Sequence, residues 1–268
     1  MDNRPIGVFD SGLGGLTAVK VLQNILPHET IVYFGDTGRV PYGNRSREII
    51  RKYAKQDIGF LRSNDVKMII VACGTVSSVA SDLIENLDLP ATSVLKPTAR
   101  AAAAATKNGR VGVIATTATI RSGSYQRELA AIDPEIEVFE RDCPLFVPLV
   151  ENGFVDENDE VTRLVAERYL VSLREQKVDT LIMGCTHYPI ISKIISRVMG
   201  DDVTLIDSGR EAALHAQQIL EQQGLLCSNK QEGSPTFFVS DTVEGFSQVA
   251  DIFLGHNIKQ NVQHVDIG

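Results

Sequence analysis

The sequence predicts an α/β protein of two similar, doubly wound halves with mostly parallel sheets. Three observations carry this. Short apolar runs alternate with stretches of helical period along nearly the whole chain, the pattern of βα units. Two of those runs lead into a cysteine: Met68-Ile69-Ile70-Val71-Ala72-Cys73-Gly74-Thr75 and Thr180-Leu181-Ile182-Met183-Gly184-Cys185-Thr186-His187. A strand buried on both faces reads as such a run, with the small and polar residues as its exit loop. Landmarks also recur at nearly one offset. Cys185 follows Cys73 by 112 positions, and Gly112 in Arg110-Val111-Gly112-Val113 follows Gly7 in Pro5-Ile6-Gly7-Val8 by 105. The difference of seven is loop drift, and the chain reads as an internal duplication.

In order, Pro5 to Phe9 is a strand leaving through Asp10-Ser11-Gly12-Leu13-Gly14-Gly15, and Leu16 to Ile25 is a helix. The glycines allow a tight turn and expose N–H groups at a helix start, which suits an anion. The turn lacks both the GxGxxG spacing and a P-loop lysine, so a nucleotide site is not predicted. Thr30 to Asp36 is a strand, followed by the turn-rich loop Thr37 to Gly43 with the hydroxyl of Tyr42. Ser46 caps a helix running to Asn64. After the Cys73 strand, Thr75 to Glu85 reads as one helix. Cys73 then stands at a helix N-terminus, where a thiol pKa is expected to fall. Thr92 to Leu95 is a short strand and Thr98 to Thr106 an Ala-rich helix stopped at Asn108-Gly109.

The second half repeats the scheme. Arg110 to Ala115 is a strand that exits through Thr116-Thr117-Ala118-Thr119, and Ser122-Gly123-Ser124 opens a helix. Ile136 to Glu140 is a strand, Val161 to Gln176 an amphipathic helix, and the Cys185 strand follows. Ile190 to Met199 is helical, Val203 to Asp207 a strand and Glu211 to Gln223 a helix. After a polar loop, Thr236 to Ser240 is a strand, Val243 to Leu254 a helix, and the tail from Asn257 a short edge strand. The pattern leaves open which half receives the segment after Asp207.

Composition narrows the function. At 268 residues, size alone suggests roughly two domains. A net charge of −8 argues against a nucleic-acid partner, and no run approaches the ~18 apolar residues of a membrane span. Met1-Asp2-Asn3-Arg4-Pro5 leads straight into a strand without a signal-peptide apolar region, so a cytoplasmic location is expected. The four cysteines are then expected as thiols, and none forms a CxxC pair that would suggest zinc or dithiol redox chemistry.

A lone cysteine is ordinarily a packed core residue, and Cys143 and Cys227 are read so. Cys73 and Cys185 differ because both stand at equivalent strand ends, where open α/β sheets bind ligands, each with a threonine beside it. His187 is either a satisfied loop histidine or a group that steers the protonation of Cys185. Asp10 is either a helix cap or a base beside Cys73. Two opposed thiols suit the transfer of a proton from one face of a carbon to the other, which needs an acid/base group on each side. No metal-ligand cluster and no pyridoxal lysine is visible, so no cofactor is expected.

Asp10-Ser11-Gly12-Leu13-Gly14-Gly15, Tyr42-Gly43, Val71-Ala72-Cys73-Gly74-Thr75 and Gly184-Cys185-Thr186-His187-Tyr188-Pro189 resemble, in that order, the signatures of cofactor-independent glutamate racemases of the aspartate/glutamate racemase family. The resemblance spans Ile6 to about Val239. It implies two domains, residues 1–97 plus 210–268 and residues 98–209, with the active site in the cleft between them. It implies that Cys73 acts on D-glutamate with help from Asp10, and Cys185 on L-glutamate with help from His187 and Glu151. Asp10, Ser11, Tyr42, Gly43, Gly74, Thr75, Thr116, Thr186 and His187 are implied in holding glutamate. A homodimer and a supply of D-glutamate to peptidoglycan synthesis are also implied. Racemisation of aspartate or another amino acid, and a non-catalytic two-lobed amino-acid-binding protein, are the alternatives. One departure stands out: many members carry Asn where this chain has Gly74.

Overall fold

Ten strands form two sheets in a computed structural model that describes residues 1–267. They are β1 (Ile6–Asp10), β2 (Ile31–Gly35), β3 (Met68–Val71), β4 (Ala91–Ser93), β5 (Arg110–Ala115), β6 (Glu137–Asp142), β7 (Thr180–Met183), β8 (Thr204–Asp207), β9 (Thr236–Val239) and β10 (Val262–His264). The first sheet runs β10-β9-β2-β1-β3-β4 and the second β6-β5-β7-β8. Every pairing is parallel. The expected α/β class with parallel sheets is therefore observed, and the segment after Asp207 adds β9 and β10 to the first sheet.

The two sheets share the same inner order. β2-β1-β3-β4 matches β6-β5-β7-β8 strand for strand, and the registers match as well. Gly7 pairs with Ile69, and Gly112 with Leu181. Counting on from those pairs brings Cys73 and Cys185 to the same place in each half. Order reverses between β1 and β3, and again between β5 and β7, which opens a crevice at each carboxyl edge.

Helices cover both faces of each sheet because alternate strand residues point to opposite sides. On one face of the first sheet, Ile50, Ala54, Ile58 and Leu61 of helix Arg47–Ser63 pack on Phe9, Ile69 and Val71. On the other, Leu16, Val19 and Leu22 of helix Leu16–Ile25 and alanines of helix Ser208–Gln222 cover Ile6, Val8 and Ile70. Each fully buried Ile or Leu contributes roughly 2 kcal/mol. In the second sheet, helix Leu95–Ala105 covers Val111, Val113 and Ile182, while helix Glu160–Glu175 covers Leu181 and Met183. Among the described residues no helix is long and apolar enough to cross a membrane.

Several elements depart from the sequence reading. The helix expected from Thr98 begins at Leu95, and the strand before it ends at Ser93. Pro97 therefore lies in the first helical turn, where its missing N–H costs nothing. Helix Phe146–Glu151, not anticipated, has Pro148 at the same third position. The stretch read as one helix over Thr75 to Glu85 is two, Gly74–Val79 and Ser81–Glu85. Its first part is rich in Thr, Val and Ser, and Ser77 Oγ donates to the Cys73 carbonyl at 2.8 Å, a back-bond that bends helices. Thr117–Ser122, read as a loop, is a short helix closed by Gly123 at φ 61°.

Candidate active site

All twelve candidate residues line one cavity of about 390 Å³ between the carboxyl edges of the two sheets. The loop after β1 brings Asp10 and Ser11, the loop after β2 brings Tyr42 and Gly43, and the end of β3 brings Cys73, Gly74 and Thr75. From the second sheet, β5 delivers Thr116, β7 delivers Cys185, Thr186 and His187, and helix Phe146–Glu151 delivers Glu151.

The surroundings of the two thiols differ. Cys73 is buried and its Sγ lies 3.4 Å from Ser11 Oγ. Burial pushes this thiol up to about 12, and the Asp10 charge adds to the rise. The expectation of a lowered thiol pKa at this helix start is thus corrected: loss of water and a neighbouring carboxylate outweigh the dipole of a single short helix. Asp10 itself is buried, and burial raises its carboxyl, opposed by the charge of His187 and the N–H groups of Gly12, Gly15 and Ser11. Its Oδ2 accepts from the Gly12 N–H at 3.0 Å. Asp10 therefore caps its own turn while lining the cavity.

Cys185 stands in a chain of three groups. Its Sγ is 3.9 Å from His187 Nδ1, and His187 Nε2 is 2.9 Å from Glu151 Oε1. Burial would lower the imidazole, but the hydrogen bonds and charges of Cys185 and Glu151 prevail and raise it to about 10. One side of the cavity thus holds a thiol beside a carboxylate, the other a cysteine beside an imidazolium.

The remaining candidates divide by what they offer. Thr75 Oγ1 meets Thr116 Oγ1 at 3.2 Å, and Thr116 Oγ1 is 3.1 Å from Thr119 Oγ1. The Tyr42 hydroxyl is not free for a ligand. It donates to Asp36 and sits 3.0 Å from Asp57 Oδ2, leaving its ring and backbone to the cavity. Arg39 reaches Asp36 at 2.6 Å and Asp57 at 3.1 Å, so this buried cluster anchors the Tyr42–Gly43 wall. A Cβ at Gly74 would stand 2.5 Å from the Gly184 carbonyl oxygen. No side chain fits at position 74 in this arrangement.

Sequence reasoning missed several contributors. Cys143, read as structural, lines the cavity, where burial pushes its thiol above the usual range. Phe253 packs edge-on against the His187 ring at 5.2 Å between centroids. Gly14 lies against Thr186 and His187, and a Cβ there would meet His187 Nδ1 at 2.6 Å. Gly14 was visible in the Gly-rich motif, whereas nothing local marks Phe253. Among the described residues no group of three His, Cys, Asp or Glu is placed to hold a metal.

Comparison with known proteins follows the same lines. The family profile for Asp/Glu/Hydantoin racemase matches residues 17–216. A glutamate racemase of Geobacter metallireducens is 46% identical over 253 residues, which is 94% of this chain and 93% of that protein. A crystal structure of glutamate racemase from Francisella tularensis in complex with D-glutamate superposes with TM-score 0.92 at 40% identity, covering 100% of this chain and 99% of that one. An aspartate racemase of Picrophilus torridus shares the fold, with TM-score 0.58 at 22% identity over 82% of this chain and 94% of that one.

Proposed function

The chain belongs to the Asp/Glu/hydantoin racemase family, and from that membership we propose that it is a glutamate racemase interconverting L- and D-glutamate with two cysteines and no cofactor. The observation that carries the mechanism is the placement of Cys73 and Cys185 at equivalent strand ends on one cavity, with oppositely charged neighbours.

Starting from L-glutamate, the Cys185 thiolate takes the α-proton: the Cα–H bond breaks and an S–H bond forms. The electron pair left on Cα delocalises into the adjoining carboxylate. The Cys73 thiol then gives its proton to the opposite face of Cα. Cys73 is suited to this step because burial and Asp10 keep it protonated. His187, held by Glu151, stabilises the thiolate at the start. The reverse reaction exchanges the roles. An α-proton is far less acidic than a thiol, so the barrier falls chiefly through positioning and charge stabilisation in a site that excludes water. Ser11, Thr75, Thr116 and Thr186 supply small polar contacts, and the Gly43 and Gly74 backbone approaches the ligand closely.

In this reading, residues 1–97 with 210–268 form one domain and 98–209 the other, closing on glutamate. The enzyme is a cytoplasmic homodimer that supplies D-glutamate to cell-wall synthesis. The decisive experiment incubates L-glutamate with the purified protein in deuterated water without additives. Circular dichroism should fall to zero, product D-glutamate should carry deuterium at Cα, and early recovered L-glutamate almost none. A single base would return original protons to the product. A persistent dichroism signal with bound glutamate would instead indicate a binding protein.

A further inference from the structure

His187 reaches the cavity from the end of β7 in the second sheet, but part of its setting comes from the first. Helix Val243–Leu254 follows β9 of the first sheet and places Phe253 edge-on to the imidazole, with ring centroids 5.2 Å apart and planes at 89°. Phe253 is wholly buried and does not line the cavity, so it meets no ligand there. Its helix is held at that end. The Lys20 ammonium donates to the Phe253 carbonyl at 3.5 Å, and Gly255 closes the helix at φ 80° with its N–H on the Asp251 carbonyl at 2.8 Å. Ala250 and Leu254 of the same helix are buried as well.

The two polar contacts of His187 do not fix its ring by themselves. The 3.9 Å between Cys185 Sγ and Nδ1 is long, and a cysteine sulfur is a weak hydrogen-bonding group. Glu151, on the other nitrogen at 2.9 Å, has a side chain 36% exposed, a partner that keeps rotamer freedom. Packing supplies the missing constraint. A Cβ at Gly14 would stand 2.6 Å from Nδ1 and 2.9 Å from Cε1, so the Gly14 backbone closes one side of the ring. Phe253 closes another, and an interior packed this densely leaves a planar ring few orientations. We propose that Phe253 is a positioning residue for proton transfer: reaching across from the half built on the first sheet, it holds the His187 imidazole with Nδ1 towards Cys185 and Nε2 towards Glu151. An edge-to-face aromatic pair has a preferred geometry that an aliphatic side chain lacks. Because Gly14 and Phe253 both belong to the half built on the first sheet, the imidazole is aligned only when the two halves meet. This role rests on the racemase reading, but the reactivity of Cys185 reports on it independently of turnover.

The test compares Phe253→Leu with Phe246→Leu, a buried phenylalanine of the same helix that packs on Tyr33 and Phe237 instead. Both variants lose an aromatic ring from the core, and both should unfold at a lower temperature than wild type. Only Phe253→Leu should act at the site. Its alkylation by iodoacetamide, read by peptide mass spectrometry, should slow at least about threefold at Cys185 and stay unchanged at Cys73. In racemisation, kcat from L-glutamate should fall about tenfold, more than kcat from D-glutamate, while Phe246→Leu keeps both within about twofold of wild type. The labelling decides even if wild type racemises nothing, a result that would count against the racemase reading and not against this contact. The proposal is overturned if Cys185 reacts at an unchanged or faster rate, if both cysteines slow together, if kcat falls equally in the two directions, or if Phe246→Leu reproduces the pattern.

Discussion

The carbonyl oxygen of Gly184 faces the α-carbon of Gly74 so closely that a Cβ at position 74 would come within 2.5 Å of it. Gly74 precedes Thr75 in the first sheet's half, and Gly184 precedes Cys185 in the second. The closed approach of the two halves is therefore set at a glycine, beside both cysteines. Gly74→Asn should force the halves apart by a few tenths of an ångström or more. KM for glutamate should rise about tenfold or more with a smaller change in melting temperature, since the contact is backbone against side chain at a cleft. An unchanged KM would show that the closed approach does not govern binding.

Cys73→Ala and Cys185→Ala should each abolish racemisation. Cys227→Ala, at a partly exposed thiol bonded to Asn3, should leave turnover unchanged. Cys143→Ala should keep turnover within about threefold but cost roughly 1–2 kcal/mol of stability, because the thiol is buried. Near-native turnover in either of the first two variants would end the two-thiol mechanism.

Glu151→Gln removes the charge that helps hold the His187 proton. L- and D-glutamate have equal free energy in water, so kcat/KM must match in the two directions at every pH. The asymmetry of the thiols is visible only in kcat and KM taken separately. The variant should lower kcat from L-glutamate by about tenfold to a hundredfold, more than kcat from D-glutamate. Equal losses in both directions would dissociate Glu151 from Cys185.

Tyr42→Phe deletes the hydroxyl that bridges Asp36 and Asp57. Two buried carboxylates then face each other with only Arg39 between them, and stability should fall by about 2 kcal/mol in urea unfolding. A loss of glutamate affinity without a loss of stability would mean that the hydroxyl serves the ligand instead.

Stability should decline as pH rises. His187 is raised in the folded state to about 10, against about 6.5 unfolded. A group that holds its proton more tightly when folded stabilises the fold fully below its unfolded pKa, and this contribution is gone above the folded one. The loss therefore spans pH 6.5 to about 10, and Cys73 extends it towards about 12. Between about pH 6 and about pH 10, wild type should lose on the order of 4 kcal/mol more than His187→Gln. A wild-type excess that stays constant with pH would refute the assignment.

Much of this was written locally. The apolar runs ending at Cys73 and Cys185, the offset of Gly7 and Gly112, and the Gly-rich turn after Phe9 determined strand identity and the duplication and singled out Asp10, Cys73, Cys185 and His187, whereas Glu151 and Thr116 came only from the family resemblance. These are matters of period and loop chemistry, which neighbours in sequence decide. Helix limits were less legible where Pro97 and Pro148 occupy first turns, because a proline there looks like a breaker. Tertiary structure alone decided that β9 and β10 join the first sheet, that Phe253 reaches His187, and that the Tyr42 hydroxyl turns to Asp36. It also reversed the expected shift of Cys73. Burial and the charges facing a group depend on residues far apart in the chain, and their free energies exceed those of a local helix dipole.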